Sequence, residues 1–167
     1  MAGLDNIQRT LVPRLAAAVL ALSAAGGAFI TCHEGKVNRV YLDPVGIPTV
    51  CVGHTRTVSR DMVGRGFSDA VCADLLSQDT KVAEKAIKRA VKAPITQGQY
   101  DALTSFVFNV GGANFESSTL LRKANSEDCL GAGKEFERWV YARGQRLPGL
   151  VKRRAAERAL WEAGCPA

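Results

Sequence analysis

Glu34-Gly-Lys-Val-Asn-Arg-Val-Tyr41-Leu-Asp43-Pro-Val-Gly46-Ile-Pro-Thr49-Val-Cys-Val-Gly53-His54-Thr55 is the stretch on which the reading of this chain turns. It holds two carboxylates and a hydroxyl, spaced Glu-x8-Asp-x5-Thr. From Val40 to Thr55 the β-branched and aromatic residues flank the turn formers Pro44 and Gly46, which predicts a small antiparallel hairpin. Asp43 then stands at the turn and Thr49 on the returning strand. Glu34 precedes the hairpin, where an apolar segment ends. A glycosidic oxygen leaves only when protonated, so its acid must stay protonated near neutral pH through burial or neighbouring charge. A second, more solvated carboxylate stays ionised and activates water, and a hydroxyl beside it helps hold that water. Each residue also has an ordinary reading. Glu34 can be a solvated residue, Asp43 a turn former before Pro44, and Thr49 a strand residue.

Upstream, Leu15 to Cys32 carries no charge. As one helix it would measure about 27 Å at ~1.5 Å per residue, close to the hydrocarbon thickness of a bilayer. Arg9 and Arg14 precede it, which favours a cytoplasmic N-terminus and an exported remainder. The segment is nevertheless mostly Ala and Gly, so burial in lipid stabilises it little. Three readings stand: a weak anchor that inserts and later escapes, a cleaved signal peptide with Ser23-Ala24-Ala25 as its small-residue site, and a core helix.

Downstream, Val63–Phe67 reads as a loop and Ser68-Asp69 as a helix start. Leu75, Leu76, Val82, Ile87 and Val91 follow at helical spacing until Pro94. Thr96 caps a helix ended by Gly111-Gly112, short helices begin near Ser117 and Asp128, and Pro148 suits the first turn of a last helix.

With 167 residues, 47% hydrophobic and 23% charged, the chain has enough apolar matter for one folded domain or two small lobes. The net charge is +6, much of it late in the chain: Arg138, Arg143, Arg146, Lys152, Arg153, Arg154 and Arg158. Such a face attracts polyanions or is simply solvated. No interleaved aromatic platform or helix-turn-helix pattern supports nucleic acid as a partner. No nucleotide or metal motif implies a cofactor. The five cysteines, Cys32, Cys51, Cys72, Cys129 and Cys165, match no zinc spacing and point to an oxidising compartment with one or two disulfides.

The hairpin stretch resembles the active-site hairpin of T-even-phage-type lysozymes. Phe106-Val-Phe-Asn109-Val-Gly111, Phe115-Glu-Ser-Ser-Thr119-Leu-Leu, Arg138-Trp139 and Leu147-Pro-Gly-Leu-Val-Lys-Arg153-Arg154-Ala-Ala-Glu157-Arg158 are similar to further signatures of that family, in the same order. With the weak anchor in front, the whole resembles a signal-anchor-release endolysin. The resemblance implies an α+β, predominantly α, two-lobe fold. Residues 1–31 would be the anchor and 32–167 the catalytic domain. Within the latter, a small lobe covers about 32–67, a connecting helix about 68–92 and a helical lobe about 94–165. It implies hydrolysis of the β-1,4 bond between N-acetylmuramic acid and N-acetylglucosamine in peptidoglycan. The tethered form, held by residues 15–32 in the host inner membrane, would be inactive, and release would yield an active monomer in the periplasm.

By matched position, Glu34 is the general acid, Asp43 the base that activates water and Thr49 the residue that positions it, with inverting geometry. Arg153 would pair with Glu34, His54 would be structural, and Trp139 would sit in the core or line the glycan cleft. Some relatives carry a catalytic Cys where this chain has Asp43, so the off-state expected here is topological. Cys32–Cys165 and Cys51–Cys72 are the suggested disulfides. The rival readings are a membrane-tethered, non-catalytic wall-binding module and a lytic transglycosylase working with Glu34 alone.

Overall fold

The computed structural model describes residues 13–43, 46–142 and 144–166. Pro44 of the expected turn, Arg9 of the expected flank and Arg143 lie outside them.

The central element is helix α3 (Gln97–Val110). Its start is a complete capping box: Thr96 accepts from the Gln99 N–H, and the Gln99 side chain accepts from the Thr96 N–H. Every residue from Gln99 to Val107 is buried, so α3 is the axis around which the other helices pack. The helices that follow it are α4 (Gly112–Glu116), α5 (Thr119–Asn125), α6 (Cys129–Glu135) and α7 (Pro148–Glu162). Ser118 and Asp128 cap α5 and α6 through their side chains, and Pro148 opens α7. Phe106, fully buried, meets Phe115, Phe136 and Trp139 edge-on. Burying a side chain of that kind stabilises by roughly 2–3 kcal/mol. The chain after Thr96 is not wholly helical. Tyr141–Ala142 (β3) and Gln145–Arg146 (β4) form a short antiparallel ribbon around Gly144, whose φ of 78° suits the tight reversal.

The small lobe is the hairpin of β1 (Val37–Leu42) and β2 (Pro48–Cys51), with a register shift between Val37 and Tyr41. Helix α2 (Asp69–Ala90), capped by Ser68, runs from this lobe to the helical one. Its buried face begins with Cys72, Leu75 and Leu76 against the hairpin side and continues with Ala83, Ala86 and Ile87 in the main core.

The uncharged stretch from Leu15 to Cys32 is not one helix. Leu15 pairs antiparallel with Ile95, Ala17–Val19 make a single 3-10 turn, and only Ala24–Glu34 is helical (α1). The physical reason lies at residues 22 and 23. The Leu22 N–H donates to Glu84 (3.0 Å) and the Ser23 N–H to Asp101 (3.0 Å), so side chains of the body take donors that a continuous helix would satisfy internally. Ser23 then caps α1, its hydroxyl accepting from the Gly26 N–H. Ala17 and Leu20 enter the main core, and the anticipated boundary at residue 31 falls inside α1. Among the described residues no helix is long and apolar enough to cross a membrane.

Candidate active site

Glu34 is the last residue of α1, and Gly35, with φ of 75°, turns the chain into β1. The Glu34 side chain is about a quarter exposed (26%) and is gripped by Arg153, which reaches it from α7 across 119 positions of sequence. Arg153 is itself buried. Its Nε donates to Glu157 (3.0 Å), and its Nη2 donates to the Ser105 carbonyl (3.1 Å) and hydroxyl (3.2 Å). The acid therefore rests on a guanidinium held from three sides.

Asp43 and Thr49 meet through Ile47. Asp43 Oδ1 accepts the Ile47 N–H (2.8 Å), and the Asp43 N–H donates to the Ile47 carbonyl (3.0 Å). The Thr49 hydroxyl donates to that same carbonyl (3.0 Å). Its proton being so used, the Thr49 oxygen is left as an acceptor, suited to a water that also donates to a carboxylate. Thr49 is buried and pairs with Tyr41 across the hairpin, which fixes its orientation.

His54 plays a different part. Its Nε2 accepts from the Thr57 N–H (3.2 Å) and lies 2.8 Å from the Thr57 hydroxyl, so the proton sits on Nδ1, which donates to Asp79 (2.8 Å). Arg56 also pairs with Asp79. This knot ties the loop after β2 to α2. His33, beside Glu34, is held below the usual histidine range by burial first and by Arg153 and Arg154 second. Trp139 packs half-buried on Phe106 and also lines a shallow groove with Asn114, Ser117, Thr119, Glu135 and Arg138. The larger groove, about 760 Å³, runs between the N-terminal segment and α2 and holds none of Glu34, Asp43 and Thr49. The candidate site is thus a matter of side-chain chemistry and not of cavity size.

Cys51 is bonded to Cys72, joining the end of β2 to the first turn of α2. Cys165 is bonded to Cys129, not to Cys32. The end of α7 lies against the start of α6, while Cys32 sits exposed and unbonded on α1. The sequence reading placed Arg153 and Arg154 on a basic outer face and named Glu157 only within a family signature, yet all three are buried here, because they pair with one another beneath Glu34; Ser105, fully buried beside them, it passed over. Their signal was available: Arg-Arg-x-x-Glu places two cations at i−4 and i−3 of one acid on a single helix. It also passed over Glu84 and Asp101, which receive the N-terminal segment; nothing local in the sequence marks them.

Residues 31–157 match the family model described as phage lysozyme. A SAR-endolysin of Escherichia phage Mu is 40% identical over 158 residues, covering 89% of this chain and 91% of that protein. A crystal structure of a P22 lysozyme mutant is similar at a TM-score of 0.78 and 36% identity, covering 86% of this chain and 99% of that one. The muramidase domain of SpmX from Asticaccaulis excentricus is similar at 0.76 and 31%, covering 84% and 97%. In fold and in sequence alike the chain is a glycoside hydrolase of the lysozyme type, and it belongs to the phage lysozyme family.

Proposed function

We propose that this chain is an exported endolysin that hydrolyses the β-1,4 bond between N-acetylmuramic acid and N-acetylglucosamine, with Glu34 as acid and Asp43 and Thr49 holding the water. The Arg153–Glu34 pair carries the reading: a structural framework grips one carboxyl at the foot of the hairpin whose turn carries the other. Glu34 protonates the leaving oxygen. A water donates one proton to Asp43 and the other to Thr49, whose own hydroxyl proton is engaged by Ile47. In the inverting mode the two carboxyls stand roughly 6.5–9.5 Å apart, leaving room for that water, and the product is the α-anomer.

Similarity to proteins named SAR-endolysins supports a delivery route in which the N-terminal segment first lies in the inner membrane and then escapes into the periplasm. The described arrangement fits the escaped state. A stretch of Ala, Gly and Ser gains little from lipid, whereas on the body it finds Ile95, Glu84 and Asp101 as partners. Two states of similar free energy can then be tipped by a change in membrane potential.

The test is clearing of outer-membrane-permeabilised Gram-negative cells by the full chain, beside Glu34→Gln and Asp43→Asn, with analysis of the muropeptides. Clearing by the parent alone, with new reducing ends, is the expected result. Anhydro-muramic ends with an active Asp43→Asn would establish a transglycosylase instead. Clearing by Glu34→Gln equal to the parent would remove the catalytic assignment altogether.

A further inference from the structure

Beneath Glu34 lies a buried cluster that carries two guanidiniums and one further carboxylate. Glu157 Oε1 accepts three hydrogen bonds: from the Ser105 hydroxyl (2.6 Å), Arg153 Nε (3.0 Å) and Arg154 Nη2 (2.9 Å). Arg154 and Glu157 are fully buried, and Arg153 nearly so. Arg154 is poorly satisfied for so buried a cation. Its Nε lies 2.8 Å from Glu157 Oε2 but off the hydrogen-bonding angle, its Nη1 has no hydrogen-bond partner, and its guanidinium lies over the Phe106 ring at 5.0 Å. A lysozyme core is an expensive place for such a group unless its charge is used.

Arg153 is shared: one nitrogen goes to Glu34 and another to Glu157. A cation directly against an acid favours its ionised form, the wrong one for a group that must give up a proton. Without Glu157, two buried cations would act on Glu34. With it, they are reduced to one.

We propose that Glu157 is a positioning residue for the reaction at Glu34: it fixes the Arg153 guanidinium that orients the Glu34 carboxyl, and its negative charge offsets one of the two positive charges of Arg153 and Arg154 that bear on Glu34. The inference rests on Glu34 being the general acid. The groups that face the cluster are Arg153 and Arg154 from α7 itself, Glu34 and His33 from α1, and from α3 the non-titrating Ser105 hydroxyl. Burial pushes the Glu157 carboxyl above the usual range, and Arg154, Ser105 and Arg153 pull it only part of the way back. Three donors converging on one of its oxygens suit the ionised form. Burial lowers Arg154 to about 10, and the neighbouring Glu157 and Glu34 oppose that fall.

The experiment is the pH profile of wall hydrolysis by the full chain, by Glu157→Gln and by Arg154→Met, with Glu34→Gln as reference and folding checked by circular dichroism. The alkaline limb reports loss of the proton from the acid. Removing the negative charge should move that limb down by about one pH unit, and removing a positive charge should move it up by about as much. A purely structural role predicts loss of activity without these opposite displacements. Either variant decides alone if the other does not fold. A folded Glu157→Gln or Arg154→Met whose limb superimposes on the parent's overturns the proposal. If Glu34→Gln remains fully active, it is the acid assignment that has failed.

Discussion

Asp101 of α3 receives two hydrogen bonds from Ser23, one on each carboxylate oxygen: the backbone N–H at 3.0 Å and the hydroxyl at 2.5 Å. Gln97 reinforces the contact by donating to Asp101 (2.9 Å) and to the Ala21 carbonyl (2.8 Å). The body thus holds the N-terminal segment by its backbone at the point where α1 begins.

Asp101→Asn offers one acceptor where Ser23 presents two donors. The docked form should lose about 1–3 kcal/mol, the cost of leaving a partly buried donor unpaired. Thermal unfolding should fall, and amide exchange should rise at residues 20–30 before it rises elsewhere. Unchanged protection there would mean that the segment is held by its apolar contacts alone.

Gly26 permits a close approach. A Cβ there would meet Leu22 Cδ1 at 2.6 Å and Asp101 at 2.7 Å, whereas a Cβ at Gly27 would meet nothing within 4 Å. Gly26→Val should therefore weaken the docked form by about 1–3 kcal/mol and Gly27→Ala should not. Fractionation of expressing cells checks this: Gly26→Val should raise the membrane-bound share, since lipid imposes no such constraint.

Loss of Cys129–Cys165, which closes a loop across 36 positions, or of Cys51–Cys72, across 21, should each cost ~3 kcal/mol. Cys129→Ser and Cys51→Ser should melt well below the parent, and Cys32→Ser should melt with it. A reductant should lower the parent's melting temperature and leave unchanged a variant in which Cys51, Cys72, Cys129 and Cys165 are all replaced by Ser.

His33 gives a signed pH dependence. Its folded pKa lies below 6.5, so between the two values the unfolded chain binds the additional proton. Stability from this source is complete above 6.5 and falls as pH drops through that window. His33→Gln should flatten the slope of melting temperature against pH below 6.5; a slope identical to the parent's would assign it to other groups.

Local rules made much of this fold legible. Thr96, Ser118, Asp128 and Pro148 start helices because capping chemistry acts within three or four residues. The hairpin carrying Asp43 and Thr49 was readable from its turn formers and strand residues. The path of residues 15–23 was not, because Ile95, Glu84 and Asp101 decide it from 62 to 80 positions away. The partner of Cys165 escaped for the same reason: spacing does not say that α7 ends against α6. Two helices and an Arg-Arg-x-x-Glu spacing were visible, but not that Ser105 of α3 closes the cluster they form.

Both covalent cross-links stay on their own side of the long connecting helix. One bolts the hairpin to the near end of α2, and the other fastens the last helix to its neighbour within the far lobe. Oxidation thus stiffens each lobe by itself and leaves the two without a covalent tie beyond the chain that runs between them.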